Sequence, residues 1–265
     1  MLRCRLHKRF TSRASGVPRC GFTLVEVLVA MTILTFIVLI LTQLLGQSTR
    51  AWQQGINDTQ HRQRARAALD FICRDLRKAM LPLDRSSQTS LRFEINPAGA
   101  AALSLQNAHS MFWQAPIATE TSKGNLAEVG YFVQWIDGKA ALYRFFLNPS
   151  DAGYNLADPN AAVSTVTDWN RYLFLENVIG MWIKSYDRNG ILLAAPSFDS
   201  RVAKVLPARV EIILVLMDST HARQLAAAPP SAADAETFMS TLPKSVLPGA
   251  TAVNITVNLE NPTGW

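Results

Sequence analysis

Phe22-Thr23-Leu24-Val25-Glu26 opens a stretch that continues from Val27 to Leu45 without another charged residue. As a helix at ~1.5 Å per residue, 22–45 is roughly 36 Å long, enough to cross a hydrocarbon core of about 30 Å with some tilt. A cleaved secretory signal has an apolar region of about 7–15 residues and a small-x-small cleavage site. This run is longer and ends in Leu44-Leu45-Gly46-Gln47-Ser48-Thr49 instead. Its length favours a transmembrane helix over a buried core helix.

Working outward, residues 1–21 hold Arg3, Arg5, Lys8, Arg9, Arg13 and Arg19 and no acid. The rest of the 265-residue chain carries 20 basic and 20 acidic side chains, so the net charge of +6 belongs to this leader. A neutral body gives no reason to expect nucleic acid as a partner. Six basic residues before the span, against Arg50, Arg62 and Arg64 in the 20 residues after it, predict a cytoplasmic N-terminus with the body on the far side. Cys4, Cys20 and Cys73 make no disulfide framework.

Two residues at the head of the span stand out. Glu26 is an isolated acid in apolar surroundings, where a charge costs up to about 2.5–3.5 kcal/mol at mid-bilayer and less near the edge. It is a functional candidate or a headgroup-level residue, and the physics alone leaves both open. Gly21, at the junction, offers a protease an unobstructed backbone, or simply marks a helix start.

Past the membrane, 57–64 is wholly polar and reads as an exposed stem. Ala65, Leu69, Ile72, Leu76 and Met80 then recur at helical spacing, one stripe packed on a sheet. Asp70 is placed to pair with Arg66 and Arg74, and Pro82 ends the helix. From there the period alternates. Leu91, Phe93 and Ile95 alternate with Arg92 and Glu94, and Met111-Phe112-Trp113 is a short apolar run. Strands from Val129 to Trp135 and from Leu142 to Phe146 flank a tight Asp137-Gly138 turn. A polar loop covers 148–168. Further strands are expected at 178–186, 209–217 and 251–259, with a turn at Asn189-Gly190. Residues 219–248 are an Ala-, Pro- and Ser-rich excursion in which Ser231 with Asp234 caps a short helix.

Chemistry is sparse. His7, His61, His109 and His221 are scattered, and no Cys-x-x-Cys, Gly-x-Ser-x-Gly or phosphate-binding loop is present. Asp187 and Asp199 are spaced like loop residues, and no calcium-loop motif can be assigned. Trp113, Trp135 and Trp182 fall on strand faces as core, and Cys73 reads as a small buried hydrophobe. Neither an enzyme, a cofactor nor a metal is expected.

Arg19-Cys20-Gly21-Phe22-Thr23-Leu24-Val25-Glu26-Val27-Leu28-Val29-Ala30 resembles the N-terminal signature of type IV pilins and type II secretion pseudopilins. The resemblance implies that prepilin peptidase cuts between Gly21 and Phe22 and N-methylates Phe22. Glu26 then neutralises the terminal amine of a neighbouring subunit. Cys20 follows Val17-Pro18-Arg19, which is not a lipobox. Leu69-Asp70-Phe71-Ile72-Cys73-Arg74-Asp75-Leu76-Arg77-Lys78-Ala79 is similar to the end of the long helix in J-type minor pseudopilins. Leu175-Glu176-Asn177-Val178, Trp182-Ile183-Lys184-Ser185-Tyr186-Asp187 and Pro207-Ala208-Arg209-Val210-Glu211-Ile212 resemble their strands. The likeness spans 22–217 with gaps, and 219–248 departs from it.

The expectation is thus an α+β, pilin-like chain: a leader (1–21), a transmembrane helix (22–45), an amphipathic stem and packing helix (46–81), and an antiparallel β-rich domain (82–265). The resemblance implies a minor pseudopilin of the bacterial inner membrane with its globular domain in the periplasm, near the tip of a type II secretion pseudopilus. Its implied partners are prepilin peptidase and, through the N-terminal helix, other pseudopilins or pilins. The alternatives are a minor pilin of a type IV pilus or DNA-uptake system, and an uncleaved, membrane-anchored binding module.

Overall fold

The computed structural model describes residues 23–79, 91–98, 108–163, 166, 168–193, 196–203, 207–225 and 227–259. The chain divides into two units, Met1–Gln54 and Gly55–Trp265. Helix α1, Leu24–Arg77, supplies the described part of the first unit and opens the second.

In the first unit the helical stretch Leu24–Gln53 reaches a mean hydropathy of 2.8, and none of its most apolar part is buried among the described residues. The threonines that interrupt it are satisfied locally. The hydroxyls of Thr32 and Thr35 donate to the carbonyls of Val29 and Met31 at 2.8 Å, and that of Thr42 donates to Val38. Such internal bonding is what a bilayer demands of a polar group. The helix does not break at Gly46.

In the second unit the expected stripe is buried at Ala65, Leu69, Ile72 and Leu76, and Ala68 and Cys73 widen it. Met80 and Pro82 lie outside the described residues, and α1 ends at Arg77. The expected pairing of Asp70 with Arg66 and Arg74 is corrected: among the described residues neither ion pair forms. Arg74 Nε instead donates to the Asp70 carbonyl at 3.4 Å. An exposed ion pair gains little in water against the entropy of holding two long side chains.

The strands are β1 (Phe93–Ile95), β2 (Met111–Ala115), β3 (Ala127–Ile136), β4 (Lys139–Leu147), β5 (Leu173–Glu176), β6 (Val178–Tyr186), β7 (Phe198–Asp199), β8 (Arg209–Met217) and β9 (Ala250–Asn258). They form a six-stranded sheet, β5-β4-β3-β2-β1-β7, and a three-stranded sheet, β6-β8-β9, with antiparallel pairing throughout. The β3–β4 hairpin turns at Asp137 (φ 51°) and Gly138 (φ 73°), the pair of positive φ values that a two-residue type I′ turn needs. Asn177 (φ 60°) alone separates β5 from β6, so the chain changes sheet across one residue.

Three apolar clusters organise this unit. The first joins the α1 stripe to both sheets through Trp113, Tyr131, Met181, Ile212 and Val257. Full burial of Leu69, Ile72 and Leu76 contributes about 1.5–3 kcal/mol each. The second lies on the other face of the six-stranded sheet, where Phe112, Phe132 and Phe145 are covered by Ala162 and Val163 of the 148–168 loop. The third places Ile179, Trp182 and Val215 under the 219–248 excursion, with the Trp182 and Phe238 rings 5.2 Å apart.

Two local expectations change. Glu94, placed by alternation on an outward face, is buried, because the 148–168 loop covers that face. The excursion holds two short helices, α3 (Ser219–Ala222) and α4 (Ala235–Thr241). The cap of α4 is Asp234, whose side chain accepts from Thr237 N–H at 2.8 Å, so the capping residue is Asp234 itself and not Ser231. Helix α2 (Ser200–Ala203) and strand β7 had no counterpart among the expected elements, and of strand β5 only Leu175-Glu176 lay in an expected strand.

Candidate functional site

Thr23 starts α1. Its hydroxyl accepts the Glu26 N–H at 3.3 Å and its carbonyl accepts the same N–H at 3.0 Å, which satisfies one of the donors a helix N-terminus leaves open. Thr23-Leu24-Val25-Glu26 has the spacing of a capping box, a signal present in the sequence and missed there. Glu26 lies in the first turn, where the helix dipole favours an acid. It is exposed, as are Leu24 (80% exposed), Leu28 (59%) and Phe36 (69%). A continuous apolar surface of this extent marks a membrane or packing surface. Glu26 is the acid of the stretch Leu24–Gln53, and the next along the chain is Asp58. Gly21 and Phe22 lie outside the described residues.

Three charged clusters of the second unit are committed to internal contacts. Asp75 Oδ2 accepts from the Tyr131 hydroxyl at 2.8 Å and from Arg144 Nε at 2.9 Å. Burial, and then the charge of Asp75, push the Tyr131 phenol well above its usual range. Arg92 pairs with Glu94 at 3.1 Å, Asp199 at 2.7 Å and Asp158 at 3.5 Å. His221 Nδ1 lies 2.5 Å from Asp218 Oδ2, where Asp218 also caps α3. A Cβ on Gly249 would stand 2.3 Å from both of those atoms, so the pair is packed in by backbone. Trp113 and Trp182 are core residues, and Cys73 is a free, buried thiol. Among the described residues no three His, Cys, Asp or Glu side chains are grouped to hold a metal ion.

Residues 18–42 match the family model described as the prokaryotic N-terminal methylation motif. That segment contains Gly21, Phe22 and Glu26. Among solved structures, a type IV-like pilin from Thermus thermophilus aligns with a TM-score of 0.39 at 11% identity, covering 74% of this chain and 95% of that one. No curated protein matches the chain.

Proposed function

We propose that the chain is a structural, non-catalytic pilin-like subunit, made as a precursor. Prepilin peptidase cuts it between Gly21 and Phe22 and methylates the new amine at Phe22. The methylation-motif match over 18–42 carries this reading, because it falls on the junction between a basic leader and the apolar helix. Cleavage places Glu26 four residues beyond a new ammonium. A carboxylate in an apolar bundle is tolerable when an opposite charge pairs with it, and the amine of a neighbouring subunit supplies one. The exposed apolar surface of Leu24–Gln53 is then the membrane anchor before assembly and the packing surface after it. The globular domain sits in the periplasm.

The finer assignment is a minor pseudopilin near the tip of a type II secretion pseudopilus. Its support is the likeness of 69–79 to the J-type element, within which Asp75 anchors the helix to β3 and β4. The intact mass of protein extracted from membranes of its native host tests the proposal. Loss of residues 1–21 with gain of one methyl group is expected, and a chain that still begins at Met1 overturns it. Co-purification with secretion pseudopilins is expected, and co-purification with pilus subunits alone replaces the finer assignment with a minor pilin.

A further inference from the structure

The 148–168 loop crosses the outer face of the six-stranded sheet, and its segment 155–160 is held from below almost residue by residue. Glu128 on β3 accepts the Asn155 N–H. Gln114 on β2 donates to the Leu156 carbonyl at 2.8 Å, and Arg92, just before β1, donates to the Ala157 carbonyl at 3.3 Å. Glu94 on β1 accepts from Asn160 Nδ2 at 2.6 Å. Gln114 and Glu128 are register partners, so these anchors stand side by side.

The acids of this seat are unevenly matched. Among the described residues Arg92 pairs with Glu94, Asp158 and Asp199, and it forms no ion pair with Glu128. Glu128 is fully buried, and its second oxygen has no partner among the described residues. Asp158 and the Tyr154 phenol face it from the loop, and the phenol is engaged with the Leu126 carbonyl. Glu128 is buried without an ion-pair partner among the described residues, and Glu94 is buried sharing its one guanidinium with Asp158 and Asp199, so burial favours a proton on each while the segment is seated.

We propose that segment 155–160 is an acid-closed latch: Glu128 and Glu94 hold protons while it is seated, and release of those protons to solvent as pH rises frees it from the sheet. Burial foremost pushes Glu128 up to about 8 and Glu94 to about 7, which puts the transition near neutral pH. An opened segment returns these groups towards the ordinary carboxyl range. The closed form is therefore favoured most below about pH 4.5, and the advantage is lost as pH rises through 7 to 8. The segment joins Tyr154 to Ala162 and Val163, which cover the Phe112, Phe132 and Phe145 cluster, so opening would loosen that cover. This inference is independent of the assembly reading.

Hydrogen exchange on the full chain in detergent, corrected for intrinsic rates, tests it. Between pH 6 and pH 9, protection of the amides of 155–161 should fall roughly tenfold or more, while the β3 amides of 129–133 stay protected. Glu128→Gln keeps an acceptor for Asn155 without a charge and should hold the segment closed at pH 9. Unchanged wild-type protection, joint loss of β3 protection, or a Glu128→Gln protein that opens like wild type each overturns the latch. If Glu128→Gln does not fold, Glu94→Gln gives the same test: its opening should shift to higher pH, and an unshifted profile counts against the proposal.

Discussion

Asp75 on α1 and Arg144 on β4, 69 residues apart, meet at 2.9 Å beneath the aromatic rings of Phe71 and Phe146. The guanidinium lies 4.6 Å from the Phe146 centroid and 5.3 Å from that of Phe71. Tyr131 donates to the same Asp75 oxygen, so a three-membered polar contact fixes the last turn of α1 on two strands.

Removing one partner of this contact strands the other. Asp75→Ala should destabilise the globular unit by about 3 kcal/mol, the low end for a broken buried pair because Arg144 keeps some access to water. Asp75→Leu combined with Arg144→Met and Tyr131→Phe, which leaves no member of the contact stranded, should recover most of that loss. Urea unfolding followed by tryptophan fluorescence measures both; a triple variant as unstable as the single one would refute the account.

Gly130 on β3 has Phe112 of β2 directly opposite, and a Cβ there would stand 2.3 Å from the Phe112 ring. That ring also contacts Phe132, stacked at 6.2 Å, and Phe145, edge-on at 6.2 Å, so it has little room to give way. Gly130→Ala should cost about 1–3 kcal/mol through overpacking, read as a lowered Tm. Phe112→Leu in the same chain should return part of it.

His109 bridges the two sheets: its N–H donates to the Met181 carbonyl at 2.7 Å and its Nδ1 accepts the Ile183 N–H at 3.0 Å. Burial holds its pKa below the ordinary 6.5, so the folded state binds fewer protons than the unfolded state in that window. Its contribution is complete above pH 6.5 and is lost as pH falls below that value towards the folded pKa. The difference in stability between wild type and His109→Gln should therefore narrow between pH 7 and pH 5. A difference independent of pH would exclude this role.

At the other end of the chain, Gly21→Leu should leave a full-length precursor on an immunoblot of membranes. Glu26→Leu should be processed normally, because the apolar helix is retained, yet fail to co-purify with other pilin-like subunits. Normal assembly of the Glu26→Leu protein would remove the acid from the account.

Much of the fold was legible where a local pattern decides it. Strands Val178–Tyr186 and Arg209–Met217 and the Asp137-Gly138 turn lie where alternation and turn chemistry put them. The seat under segment 155–160 was not legible, because its bonds join residues 27, 42, 65 and 66 positions apart and leave no local trace. Arg144 is an intermediate case. It shares the inward phase of β4 with Leu142, and Asp75 interrupts the buried side of α1. Two opposite charges out of phase in two elements are a readable sign of a buried pair. At the head of α1, Glu26 was evident as an isolated acid, and the spacing of Thr23 to Glu26 carried the cap in the same four residues.

The single residue between β5 and β6 sets which parts of this chain can vary in length. Adding one amino acid at Asn177 would rotate β6 by one position, turning Trp182 towards the inner cluster and Ile183 away from it. The 219–248 excursion sits outside the strand ladders and tolerates growth or trimming wherever its cover over Trp182 is kept. Insertions and deletions among natural variants should thus accumulate in the excursion and be purged at the corner.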